Sequence, residues 1–132
     1  MIHHWGKDVE VYPRSCALIE KGGKFISNYI CTTEVNKVQM SPEAILKENS
    51  SASFYSVIFA PKNSSFDLGS RVFLQEKGAN AEIISRVVSE GGKVITRGDI
   101  IGEVPFTKGY MSCNGLFFCQ ICNFFQLTGF LK

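Results

Sequence analysis

The sequence predicts an all-β protein, and three observations carry that prediction. Most of the 132 residues fall in short segments rich in Val, Ile, Phe, Tyr, Thr and Ser, the residues that favour strands. Clusters of Gly, Asn, Lys and Glu separate these segments, as expected for turns. A hydrophobic pattern with the helical period is nearly absent. The length fits one domain, large enough to bury a core without disulfide or metal support.

Eleven strands are predicted in chain order, at residues 9–12, 17–20, 25–32, 37–40, 53–59, 65–68, 71–75, 81–88, 93–96, 100–103 and 111–118. The segments between them contain turn sequences, at 21–24, 61–64, 77–80, 89–93 and 97–99. Residues 41–49 are open to two interpretations. Ser41 can cap a short helix with Pro42 in its first turn, but so short a helix is marginal, so a strand is equally compatible.

The pattern of residues 81–88 indicates how these strands are arranged. One face of that strand carries Ala81, Ile83, Ser85 and Val87, which fit an interior, whereas Glu82 and Arg86 lie on the opposite face. Similar strand-turn-strand units recur between residues 51 and 103, which favours a β-helix solenoid. A β-sandwich of short strands remains the alternative.

Composition excludes several classes of protein. A net charge of +2 and scattered basic residues do not form a nucleic-acid surface. A hydrophobic content of 45% excludes intrinsic disorder. The only apolar stretch that could enter a membrane, residues 116–131, is too short to span one and contains Gln and Asn. No export signal is visible, and five cysteines are an odd number, so reduced thiols in the cytoplasm are expected.

Several separated motifs, in this order and spacing, resemble the SufB/SufD family of iron–sulfur cluster assembly proteins. They lie at residues 78–88, 91–98, 102–103 and 109–116, with further similarity at 2–5 and 23–29, so that the resemblance covers residues 1 to about 118. The resemblance implies a right-handed parallel β-helix and a non-catalytic scaffold that assembles or transfers a transient Fe–S cluster. It also implies a SufC-like ABC ATPase and other SUF subunits as partners.

Within this resemblance Cys113 matches the position of a family cysteine that accepts sulfur or ligates a cluster. Arg86 and Arg97 also fall at motif positions, without a defined chemical role. Family members are several times longer, and the C-terminal helical segment that docks the ATPase has no counterpart here. We therefore expect a SufB/SufD-like domain at residues 1–118 and a divergent apolar tail at 119–132, in a short or truncated member of the family.

Two further candidate sites combine residues of the tail with residues just before it. Cys113, Cys119 and Cys122 have a spacing that can hold zinc or an Fe–S cluster if His3 or His4 supplies a fourth ligand, although burial in a core is the more ordinary role. Aromatic residues can instead cap the solenoid or form a homo-oligomer interface, in particular Phe117, Phe118, Phe124 and Phe125. The alternative function is therefore a β-helix interaction module that self-associates without a cluster. No phosphate-binding loop or catalytic triad is present, so an enzyme is not expected.

Overall fold

The computed structural model describes residues 8–117 and 124–127, and every element within them is a strand. In chain order these are β1 (Glu10–Val11), β2 (Cys16–Ile19), β3 (Lys24–Cys31), β4 (Lys37–Met40), β5 (Glu43–Leu46), β6 (Ser51–Ala60), β7 (Ser65–Leu68), β8 (Arg71–Leu74), β9 (Asn80–Ser89), β10 (Lys93–Arg97), β11 (Asp99–Gly102), β12 (Lys108–Phe117) and β13 (Phe124–Leu127). This part of the chain therefore has no helix long and apolar enough to cross a membrane.

The strands form three parallel sheets that wrap around a common core. Sheet A has the order β1-β4-β7-β10-β13, sheet B the order β2-β5-β8-β11, and sheet C the order β3-β6-β9-β12. Each coil contributes one strand to each sheet, and the described chain makes about four coils. Because all strand pairs are parallel, the predicted β-helix is confirmed and the antiparallel sandwich is wrong.

The repeat length follows from the register between coils. Lys37, Ser65 and Lys93 are successive Cα partners in sheet A, which gives a period of 28 residues. Ten of the eleven predicted strands correspond to observed strands within two residues at each described end, and the eleventh, predicted at 111–118, is β12, which begins earlier. The ambiguous segment at 41–49 contains strand β5, and β13 had not been predicted.

Alternation along each strand builds the core. In β9, Ala81, Ile83, Ser85 and Val87 are buried, as the sequence predicts, and their Cα partners in β6 also point inward. The buried apolar residues form two clusters. One includes Leu46, Leu74 and Ile83 from sheets B and C, and the other includes Phe66, Val94 and Val87 from sheets A and C. The continuous stacking of these clusters from coil to coil stabilises the solenoid.

The corner between sheets B and C has the same backbone conformation in every described coil. Gly22, Asn49, Gly78 and Phe106 occupy it with φ angles of 72°, 52°, 80° and 63°. Their backbones are joined from coil to coil, since the Asn49 amide donates to the Lys77 carbonyl and the Gly78 amide to the Phe106 carbonyl. At Gly78 a Cβ would clash with Asn49 Oδ1, so glycine is required at this one position, whereas Asn49 and Phe106 occupy the corner in the neighbouring coils.

Candidate functional site

Cys113 lies in β12, the edge strand of sheet C within the described coils. Its Cα partner is Ser85 in β9, whose side chain points into the solenoid. Parallel register keeps residues of one row on the same side of a sheet, so Cys113 also belongs to an inward row. Its side chain is half-buried because no further described strand of sheet C covers it. The sequence-predicted thiol is therefore at the open edge of the core.

The row that ends at Cys113 is polar. Tyr29, Ser56, Ser85 and Cys113 are successive Cα partners across the four strands of sheet C. In β6 and β9 this row separates residues of the first apolar cluster from residues of the second. A polar seam, defined here as these four residues, thus runs through the interior of the solenoid and reaches the edge at a thiol.

The seam begins beside a second cysteine. Burial raises the pKa of the Tyr29 phenol well above its usual range, and the neighbouring Cys31 raises it further through its charge and a hydrogen bond. Cys31 is itself buried and contacts the carbonyl oxygen of Thr33 at 3.7 Å. The phenol of Tyr29 is therefore neutral over the whole physiological pH range.

Arg86 fixes the strand that carries Cys113. It lies on the outer face of β9, and its Nη1 donates to the Ser85 carbonyl at 3.0 Å. The same nitrogen lies 3.3 Å from both the carbonyl oxygen and the Oγ of Ser112, the residue before Cys113. Hydrogen bonds from a charged donor are the stronger kind. This motif arginine therefore ties the edge strand to its neighbour next to the thiol.

Arg97, the other motif arginine, lies away from this row. It is in sheet A, where its Nη2 forms an ion pair with the carboxylate of Asp67 in the preceding coil. Thr96 beside it points inward, and its buried hydroxyl has no hydrogen-bond partner among the described residues. The structure therefore gives Arg97 a role in joining coils.

The remaining predicted site residues lie at the ends of the chain. Cys119, Cys122, Phe118, His3 and His4 fall outside the described residues, so the zinc alternative stays a prediction. Phe117 is in β12, and Phe124 and Phe125 are in β13, whose backbone pairs with β10. Their side chains are not among those described, so the aromatic interface and the domain boundary at residue 118 also stay predictions.

The thiol of Cys16 was not among the site residues predicted from the sequence. This cysteine is exposed on sheet B and lines a groove of about 610 Å³, together with residues such as Tyr12, Arg14 and Met40. The polar seam was not predicted from the sequence either. The signal for the seam was the 28-residue repeat, which aligns Ser56, Ser85 and Cys113 once the register is known.

The donor set limits what Cys113 can do alone. An Fe–S cluster is usually held by four thiolates or similar ligands. No group of three or more His, Cys, Asp or Glu residues suited to a metal ion occurs in the described part of the chain. A single half-buried thiol can accept one sulfur atom or bind one iron atom. A complete cluster therefore requires ligands from the undescribed ends or from another chain.

Comparison with known proteins supports the resemblance. A curated protein of Archaeoglobus fulgidus, named Iron-sulfur cluster assembly SufBD family protein, is 48% identical over 116 residues, covering 88% of this chain and 31% of the relative. A protein of the same name from Methanothermobacter thermautotrophicus is 40% identical over 118 residues, which cover 88% of this chain and 29% of the relative. A SufBD family protein of Pyrococcus horikoshii is 28% identical over 117 residues, which cover 88% of this chain and 26% of the relative.

No family model matches the chain. The identities to curated relatives nevertheless extend over most of its residues, so the resemblance inferred from the motifs is confirmed. The chain spans about a third or less of the length of these relatives.

Proposed function

We propose that the protein acts in iron–sulfur cluster assembly as a non-catalytic scaffold, because most of its sequence is similar to SufBD family proteins. The supporting observation is the 48% identity to an Iron-sulfur cluster assembly SufBD family protein across 88% of the chain. The cluster is the cargo of this function, assembled on the protein and passed on. The relatives are much longer, so other SUF components, including a SufC-like ATPase, are proposed as partners of the system in which this chain acts.

Cys113 is the proposed point of contact with sulfur or iron. A thiolate is the soft ligand that iron in clusters prefers, and a half-buried position leaves room for an incoming atom while limiting access of water. The polar seam places hydroxyl groups behind this thiol, and Arg86 holds its strand in place. The chemistry requires free thiols, which fits a reducing compartment such as the cytoplasm.

Since one thiolate does not complete a cluster, the other ligands are proposed to come from outside the described residues. Cys119 and Cys122 of the same chain are one source, and a second protein chain is the other. In either case Cys113 contributes to binding, whereas Cys16 on the outer face of sheet B does not.

A cluster-transfer assay tests this function. The protein is loaded anaerobically with iron and sulfide, desalted and mixed with an apo-ferredoxin, and formation of the holo-ferredoxin is followed by visible circular dichroism. We expect faster transfer than from equal amounts of free iron and sulfide, loss of that advantage in Cys113→Ser, and retention in Cys16→Ser. Transfer from Cys113→Ser at the wild-type rate would remove Cys113 from the proposal. Transfer no faster than from free iron and sulfide would overturn the scaffold function.

A further inference from the structure

Thr96 in β10 carries a buried hydroxyl group that the described fold does not use. The residue is 2% exposed, and its Oγ1 has no hydrogen-bond partner among the described residues. In the preceding coils, Leu68 and Met40 place apolar side chains in the same inward row of sheet A. A buried hydroxyl without a partner is costly, and valine has nearly the same shape without that cost. The hydroxyl is therefore suited to a ligand that the described residues do not supply.

Strands β9 and β10 face each other across the interior and run in opposite directions. Near the corner that joins them, Val87 of β9 and Val94 of β10 belong to the same apolar cluster. At the far end of the two strands, a Cβ built on Gly98 would lie 3.6 Å from Cδ1 of Ile83. In both pairs the two residues are equally far from the corner along the chain, so the inward residues of β9 meet those of β10 in order.

This register places Thr96 opposite the polar seam. Thr96 is the inward residue midway between the two contacts on the β10 side, and Ser85 is midway between them on β9. In the next coil Met111 approaches the same end of β10, since a Cβ at Gly98 would lie 2.8 Å from its Sδ. Cys113 is two residues after Met111 and is the Cα partner of Ser85. The Thr96 hydroxyl therefore faces the level of the interior that Ser85 and Cys113 occupy.

A gap separates this hydroxyl from the thiol. The structure contains no hydrogen bond between Thr96 Oγ1 and either Ser85 or Cys113, so an additional atom is needed to connect them. A sulfur atom bound to Cys113 extends about 2 Å beyond its Sγ, the length of an S–S bond. The thiol is half-buried and is reached from the open edge of sheet C. A sulfur atom loaded there brings an acceptor toward the buried hydroxyl.

We propose that Thr96 donates a hydrogen bond to the sulfur atom that Cys113 carries, an inference that rests on the proposed function of Cys113. A persulfide, R–S–SH, supplies the sulfur. The Cys113 thiolate attacks the terminal sulfur of this donor, so the new Sγ–S bond forms, the donor's S–S bond breaks, and the electron pair leaves with R–S⁻. No other oxidant or reductant is consumed. Once the new persulfide releases its proton to water, its outer sulfur is an anion, and hydrogen bonds to ions are the stronger kind.

Sulfur exchange at equilibrium tests the proposal. The full chain is incubated anaerobically with a fixed ratio of glutathione persulfide to glutathione. Fragment-ion mass spectrometry then measures the fraction of Cys113 that has gained the mass of one sulfur atom. We expect Thr96→Val to lower the exchange equilibrium constant by about tenfold or more, because a hydrogen bond to an anion is lost. Thr96→Ser keeps the donor and should stay within about twofold of the wild type.

The matched control is Thr107→Val, which should leave the exchange equilibrium unchanged. Thr107 lies at the corner between sheets B and C, and its half-buried hydroxyl donates to the Val104 carbonyl at 3.3 Å. Equal losses of sulfur in Thr96→Val and Thr107→Val would indicate a general effect on the fold and count against the proposal.

Stability separates a sulfur-binding role from a structural one. In the sulfur-free protein Thr96→Val should melt at or above the wild-type temperature, because it removes a buried hydroxyl that has no partner among the described residues. A lower melting temperature would show that the hydroxyl already has a partner elsewhere in the chain, and would contradict the proposal.

The same exchange assay distinguishes this inference from the function on which it rests. An exchange constant in Thr96→Val equal to that of the wild type would overturn the role of Thr96 and leave sulfur loading of Cys113 intact. No sulfur on Cys113 in the wild type would instead refute the proposed function of Cys113, and the inference with it.

Discussion

Adding one methyl group at each of two buried glycines should have very different effects on stability. Gly92 and Gly98 both lie in the fourth coil, and neither has a positive φ. A Cβ at Gly98 would meet the Cε and Sδ of Met111 at 2.8 Å, the mobile end of a flexible side chain. A Cβ at Gly92 would lie 2.6 Å from the Pro61 carbonyl oxygen and 2.5 Å from Ser64 Oγ.

These neighbours of Gly92 have little freedom to move. The Ser64 hydroxyl is buried and donates to the Pro61 carbonyl, and the Gly92 carbonyl accepts from Ser89 at 2.9 Å. In Gly92→Ala, overpacking should lower the free energy of unfolding by about 1–3 kcal/mol and a weakened hydrogen bond by about 1 kcal/mol. The stiffer unfolded chain should raise it by about 0.4–1 kcal/mol. Gly92→Ala should therefore lower the free energy of unfolding by about 1–3.5 kcal/mol, whereas Gly98→Ala should change it by less than about 1 kcal/mol.

Urea denaturation followed by far-ultraviolet circular dichroism measures this difference, with thermal melting as a second assay. For a chain of this size about 1 kcal/mol corresponds to about 4 °C, so Gly92→Ala should melt about 4–14 °C lower than the wild type. Gly98→Ala should melt within about 4 °C of it. Equal free energies of unfolding in the two variants would show that the coil-to-coil contact at Gly92 is not as tight as the structure indicates.

Three further predictions concern the core and the coil contacts. Above pH 10 the free energy of unfolding should fall less steeply with pH in Tyr29→Phe than in the wild type. The reason is that the phenol ionises near its usual pKa in the unfolded chain but stays neutral when buried. Parallel pH profiles of the two proteins in denaturant titrations would contradict this. Phe66→Ala should lower the free energy of unfolding, measured by urea denaturation, by about 3–5 kcal/mol, because Phe66 is fully buried. Phe73 lies on the outer face of sheet B, so Phe73→Ala should lower it clearly less. Equal losses in the two variants would refute the assignment of the core. Arg97→Gln should lower the free energy of unfolding by less than about 1 kcal/mol, because the ion pair between Arg97 and Asp67 is partly exposed. A larger loss in the same assay would count against this.

Much of the fold could be predicted from the sequence because a parallel solenoid repeats a local pattern. Alternating residues in β9 and glycine-containing corners showed where strands begin and end. Strand β5 was ambiguous because Ser41, Pro42 and Asn49 also suit a short helix. Pairing with strands β2 and β8 on both sides decides in favour of a strand, and that information is not local.

The candidate site was only partly predictable. The motif around Cys113 pointed to the thiol, but the polar seam depends on register across four strands, with partners 27 to 29 residues apart. Single serines such as Ser56 and Ser85 look ordinary in the sequence.

The central claim, that Cys113 takes part in holding iron and sulfur, is tested most directly by anaerobic reconstitution. The full chain is incubated with ferrous iron and sulfide, desalted, and analysed for iron and acid-labile sulfide per chain and for visible absorbance. Cys16→Ser is the matched control, and Cys119→Ser/Cys122→Ser tests the tail. The account predicts that the wild type and Cys16→Ser bind iron and sulfide and that Cys113→Ser does not. Equal binding by Cys113→Ser, or no binding by the wild type, would contradict it.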